Sequence, residues 1–107
     1  MKNKNIKYWQ QGDVTGIKLC KMPPGEQKII AKSKCVVAHG ESGHSHVIED
    51  DEAELIQIGD KMLLSLKNNA TLTHEEHKPI DLTPGIWEIG RVNEFDYFAQ
   101  MVRKVQD

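Results

Sequence analysis

Long hydrophobic runs are missing from this sequence. No stretch approaches the roughly 20 apolar residues that a membrane-spanning helix requires, and none lies behind the polar, lysine-rich start, Met1 to Lys7. Neither a secretory leader nor a membrane anchor is expected, so the chain is read as cytoplasmic. An excess of one charge is missing too. Fourteen basic and 16 acidic side chains leave a formal charge of -2, which excludes the basic footprint of a duplex nucleic-acid binder. Cysteine is scarce: Cys20 and Cys35 stand alone in apolar, strand-like surroundings. They read as reduced, half-buried packing residues and not as a bridge. Internal repeats, low-complexity tracts and linkers are also lacking, so residues 1–107 are read as a single domain. A domain of this size can bury a modest core without disulfide or metal staples, so a metal would serve function and not folding.

What is present is two-residue alternation in short runs, broken by turn residues at intervals of roughly eight to twelve, the pattern of an all-β protein. The expected fold is a small antiparallel β-barrel or sandwich. Ile6 to Gln10 and Val14 to Cys20 read as strands around a Gln11-Gly12-Asp13 turn, with a break at Met22-Pro23-Pro24-Gly25. Strands follow over Gln27 to Lys32, Cys35 to His39 and, after a Gly40 to Gly43 turn, His44 to Glu49. The acidic run Glu49 to Glu52 reads as a solvated turn or loop. Glu54 to Ile58 and Met62 to Leu66 flank Gly59-Asp60, a pair suited to a tight hairpin because glycine accepts a positive φ. Asn68-Asn69 is the next turn. Thr71 to Glu76 and Ile86 to Val92 are the last strands, separated by a loop holding Pro79, Pro84 and Gly85. From Asn93 to Asp107 the residues Phe95, Phe98, Met101, Val102 and Val105 recur at helical spacing, which predicts a short C-terminal helix over one barrel opening.

All five histidines fall between His39 and His77. His44 and His46 are two apart, so on a strand both imidazoles face the same way and can converge on one ion. Ile48 continues that face into apolar surroundings. The alternative is a solvent-facing His-Ser-His with Val47 in the core. In Thr73-His74-Glu75-Glu76-His77, a strand puts His74 and Glu76 on one face, and His77 joins them only if the strand end twists. A helix would instead pair His74 with His77. Either geometry supplies a further ligand, and His44, His46, His74 and His77 are the expected metal set. Three or four such donors suit zinc foremost, with manganese, iron or nickel as alternatives, and three protein ligands leave a position for water or substrate. Glu75 reads as part of a polar loop. His39 is a neighbour of the site more than a ligand, whereas Glu41 and Glu76 are candidate proton shuttles or anchors for an imidazole N–H.

The His44-x-His46 strand with acidic residues after it, then Gly59 and Pro84-Gly85, resembles the metal-binding strands of cupins. In cupins the first motif carries two histidines and a glutamate, and the second a further histidine after its proline and glycine. Here Glu49 is one residue early and no histidine follows Gly85, so the third-ligand role falls to His74 or His77. Over nearly its whole length the chain also resembles a family of small bacterial and phage proteins sharing Gln11-Gly12-Asp13-Val14, Gly43-His44-Ser45-His46, Thr73-His74-Glu75-Glu76-His77 and Leu82-Thr83-Pro84-Gly85. That resemblance implies that the histidine motifs act together.

Two functions compete on these residues. One is a metal-dependent hydrolase, in which the metal activates a water and Glu76 or Glu41 moves the proton. The other is a non-catalytic module for a small ligand or protein, with the histidines as polar contacts or a pH-responsive cluster; the lysines between Lys4 and Lys34 would suit an anion, although a solvated surface is the simpler reading of them. Homodimer formation through Tyr8, Trp9, Trp87, Tyr97 and Phe98 is a further expectation, since edge strands of small β proteins are often covered by a second copy.

Overall fold

Two-residue alternation does become strands throughout the computed structural model, which describes residues 7–39 and 44–91. Eight are formed: β1 (Tyr8–Gln11), β2 (Val14–Leu19), β3 (Lys28–His39), β4 (Ser45–Ile58), β5 (Lys61–Leu66), β6 (Ala70–Thr73), β7 (Ile80–Leu82) and β8 (Gly85–Arg91). Seven of them, in the order β1-β2-β8-β5-β4-β6-β7, make a nearly closed antiparallel barrel, and β3 pairs with β4 off that path. There is no helix among the described residues. The expected C-terminal helix, the Gly40–Gly43 turn and Glu41 lie outside them.

β4 is the organising strand. Ile48 pairs with Cys35 of β3 and with Leu72 of β6, while Leu55 pairs with Ala31 of β3 and Leu64 of β5. β3 thus runs along one edge of β4, and β5 and β6 share the other. The sequence had suggested two strands on each side, with Asp50, Asp51 and Glu52 in a loop. Instead the acidic run lies inside β4, and Gln27–Lys32 and Cys35–His39 merge into β3. Lysines of β3 stand opposite the two ends of this stretch, Lys32 opposite Glu54 and Lys34 opposite Glu49, pairings that offset the low strand preference of acidic side chains there, while Asp50, Asp51 and Glu52 fall at the register shift between them. Asn68 adds to this by donating to Asp50 Oδ2 (3.3 Å) and Glu52 Oε1 (2.9 Å). The register shift between Lys32 and Lys34 falls at Ser33, whose φ of 67° marks a bulge.

Leu55 faces the larger core with Val14, Cys35, Ile48, Leu64, Leu72, Leu82 and both tryptophans. Ile56 and Ile58, on the opposite face, form a smaller cluster with Leu63 that Leu19, Met22 and Ile86 cover. Trp9 and Trp87 are therefore core residues and unavailable as an interface, and Tyr8 is the exposed aromatic of the pair Tyr8–Trp9. Both cysteines are free, but only Cys35 is buried; Cys20 is exposed because the strand ends at Leu19.

Two further differences bear on the site. The strand expected over Thr71–Glu76 stops at Thr73, and residues 74–79 bend. Ile80–Leu82 then returns as β7, pairing with β6 in a segment expected to be loop. Pro79 permits this because it lies just before the strand, where no ladder donor is required.

Candidate functional site

The inward face of the His44-Ser45-His46 segment is the one the alternation indicated. His46 is 1 % exposed and Ile48 is fully buried, whereas Val47 is only partly so, which excludes the solvent-facing alternative. His44, just before β4, is less enclosed. The bend after Thr73 then brings both C-terminal histidines over the pair. Ring centres are 4.3 Å apart for His46–His74, 4.6 Å for His74–His77, 5.6 Å for His44–His74 and 6.3 Å for His46–His77. Neither a strand nor a helix gathers His74 and His77; an irregular turn does. Glu75 contributes to holding that turn. Its Oε1 accepts from Ser45 N at 3.3 Å, and its own backbone N–H together with that of Ser45 lowers its carboxyl pKa. It is therefore a tie between the turn and β4, not a bystander.

The most informative contact involves a residue read from sequence only as part of a turn. Gln11, buried at the end of β1, uses its amide nitrogen to donate to Leu72 O at 3.0 Å and Lys78 O at 2.9 Å. With both amide hydrogens committed, Gln11 Oε1 can only accept, and its partner at 2.9 Å is His46 Nδ1. His46 Nδ1 must therefore carry the hydrogen, and in the neutral ring the lone pair resides on Nε2. The same amide links β1, one end of the barrel path, to β6 and the segment leading into β7, near its other end. One side chain thus both ties the two ends of the barrel path together and fixes the histidine tautomer.

Asp13 Oδ1 lies 3.9 Å from His46 Nε2, and Arg91 donates to the other carboxylate oxygen, Asp13 Oδ2, at 3.0 Å. Gly12 lies between, with φ of 62°; a Cβ there would stand 2.7 Å from His77 Nε2 and 3.4 Å from His46 Cε1. Glycine is needed at this position both for the left-handed turn and to admit His77 beside the ring of His46. Gln11, Gly12, Asp13 and Arg91 were not recognised as site residues from sequence. A signal for Gln11 existed, since it shares a strand face with buried Trp9.

Other expected residues fare differently. Glu76 Oε1 is 3.6 Å from His44 Nδ1 and largely exposed, so it acts on His44 from the solvent side. Glu76 N donates to His74 Nδ1 at 3.0 Å, which leaves the hydrogen of a neutral His74 on Nε2. His39 ends β3 opposite Ser45. Among the described residues no three histidine, cysteine, aspartate or glutamate side chains already stand as a group able to hold a metal ion. The engaged Nδ1 of His74 is one physical reason.

Burial, reinforced by His74 and His77 and opposed by Asp13, lowers the His46 pKa from 6.5 to about 4. Between about pH 6.5 and about 4 the unfolded chain takes up a proton at this position that the folded chain refuses. Stability is therefore expected to fall as the pH drops through that window, by up to about 3 kcal/mol, and to be fully retained above it. Denaturant titrations at stepped pH measure this; a His46→Gln variant with an equally steep loss would show that the effect originates elsewhere.

Fold and site together define a small antiparallel barrel with an imidazole cluster wedged against the start of β4. Residues 10–92 match the family described as a domain of unknown function (DUF8820), and the chain belongs to that family. The match includes all the residues just described. No curated protein and no solved structure matches the chain.

Proposed function

We propose that this protein is a transition-metal-binding β-barrel whose ion sits among His44, His46, His74 and His77. The observation that carries this reading is the Gln11–His46 hydrogen bond. Metal-ligating histidines usually donate their second ring N–H to an oxygen, which fixes the tautomer and raises ligand basicity; here Gln11 presents that oxygen and leaves Nε2 as the donor atom. Ring spacing is a second support for the pairs that involve His74. Metal–nitrogen bonds of about 2.1 Å at roughly 90–110° place neighbouring imidazole centres about 4.5–5.3 Å apart; the separations of 4.3, 4.6 and 5.6 Å lie in or near that range, whereas His46 and His77, 6.3 Å apart, must draw together to share an ion. His74 joins the set through Nδ1 when that nitrogen releases the Glu76 N–H, so metal binding would exchange a hydrogen bond of the 74–79 turn for a bond to the ion.

Zinc is the preferred ion for such a set, with manganese, iron and nickel as alternatives. With three protein ligands the remaining position takes water, and a Lewis acid there supports hydrolysis. Glu76, on the solvent side of His44, is the carboxylate placed to receive the proton.

Elemental analysis of untagged protein tests the reading. About one metal ion per chain is expected in the native sequence, and its loss is expected in a His46→Ala variant that retains a β-type circular dichroism spectrum. Native protein that remains metal-free after incubation with zinc, manganese, iron and nickel would end the proposal. A specific observation favours a second reading, a small-ligand module: a cleft of about 840 Å³ lined by Pro23, Pro24, Lys28, Ile58 and Lys61 lies at the other end of β4 from the histidines. An organic molecule co-purifying without stoichiometric metal would favour it.

A further inference from the structure

We infer that Asp13 is a ligand of the same ion, so that the site is completed by the Gln11-Gly12-Asp13 turn and not by the histidine motifs alone. This rests on the metal-binding reading above and extends it to an oxygen donor from a different part of the chain. Because Gln11 commits Nδ1 of His46 as a hydrogen donor, the neutral ring keeps its lone pair on Nε2, the nitrogen 3.9 Å from the carboxylate of Asp13. Two acceptors across that gap are satisfied by a donor placed between them, a water or a cation, and an imidazole nitrogen with a carboxylate oxygen is a donor pair that suits a metal ion. Metal–ligand bonds of about 2.0–2.2 Å to nitrogen and carboxylate oxygen put donor atoms about 3.3–3.6 Å apart at a tetrahedral angle, so closing the gap by a few tenths of an ångström, within reach of side-chain rotation, lets one ion bridge the pair.

Two features around the gap fit this role. Arg91 holds the carboxylate by Oδ2, orienting it while Oδ1 faces His46. Gly12 leaves His77 Nε2 room beside the His46 ring, in space that a Cβ would fill. The donors would then be His46 and Asp13 with a further imidazole from His74, 4.3 Å from His46 between ring centres, or from His77, 6.3 Å away, once that ring turns toward the gap, and water at the remaining position. That is a mixed nitrogen and oxygen set of the kind used by catalytic zinc, with an exchangeable position. Glu76 and Glu41 are not needed as ligands in it.

The test is titration of the native protein and an Asp13→Asn variant with cobalt(II), followed by absorption, and with zinc, followed by calorimetry. Native protein is expected to bind one equivalent. Asp13→Asn is expected to weaken binding about tenfold or more and to change the cobalt ligand-field bands, with little change in the melting temperature of the metal-free protein, because the Asp13–Arg91 pair is partly exposed. Equal affinity and identical bands would overturn the role of Asp13 while leaving the histidine reading intact. Absence of binding by the native protein would overturn both. A measurement that does not depend on the variant folding is the side-chain carboxyl carbon resonance of Asp13 in the native chain: it is expected to shift on zinc addition, and a resonance that stays in place as zinc binds rules the carboxylate out as a ligand.

Discussion

Gly16→Ala is expected to destabilise the protein by about 3 kcal/mol, near the upper end of ordinary overpacking costs. Gly16 stands opposite Trp9 in the β1–β2 pair, and a Cβ on it would lie 2.2–2.4 Å from three atoms of the indole. The obstacle is a rigid ring, and Trp9 is itself buried in the larger core, so neither partner can give way cheaply. In thermal melts the loss corresponds to about 12–24 °C for a domain of this size. Trp9→Leu in the same chain should relieve the clash, so the double variant is expected to be more stable than the sum of the single losses implies. A Gly16→Ala protein melting within a few degrees of the native one would show that the indole does not lie over this glycine.

Replacing Gln11 is expected to have an equally large effect through a different route. Gln11→Leu leaves Leu72 O, Lys78 O and the Nδ1–H of His46 without their partner. Unsatisfied buried polar groups cost about 1–3 kcal/mol each, and water reaching the partly exposed carbonyl reduces the sum, so a loss of about 3–5 kcal/mol is anticipated in denaturant titrations. Metal affinity should fall about 10- to 100-fold, as it does when the oxygen that orients a ligating histidine is removed. Gln11→Glu separates the two roles. It retains an acceptor for His46 but no donor for the two carbonyls, so stability should suffer while nitrogen resonances still report a hydrogen on His46 Nδ1. A Gln11→Leu protein as stable as the native one, with His46 unchanged in tautomer, would show that this amide neither closes the barrel nor sets the ring.

Strand content and side-chain direction were legible because they are local. Period-two alternation placed His46 and Ile48 on one inward face, and the structure buries both. The fold class followed from the same pattern. The acidic run within β4 was misread because charge density argues for a loop when the strand is considered alone, and the groups that support it are distant in the chain: lysines of β3 opposite its flanks and Asn68, which donates to Asp50 and Glu52. The ending of β6 at Thr73 was misread for a related reason. The bend is held in part by contacts from far along the chain, Ser45 donating to Glu75, 30 residues away, and Gln11 to Lys78 O, 67 residues away, beside the local bond between Glu76 N and His74.

The sequence by itself determined an all-β chain and the segments bearing its four clustered histidines, since both depend on residue type and spacing within a few positions. Only the tertiary structure decided which side chains meet. Gln11 lies 35 residues from His46 and 61 from Leu72, and Asp13 lies 78 from Arg91. Those meetings depend on strand order and on the closing of the barrel, and backbone pairing across such separations is set by the burial of the whole core, not by any local pattern. The histidines announce themselves by their spacing. The glutamine that fixes the tautomer of one of them, and the aspartate facing its lone pair, become visible only when β1 is brought alongside β6.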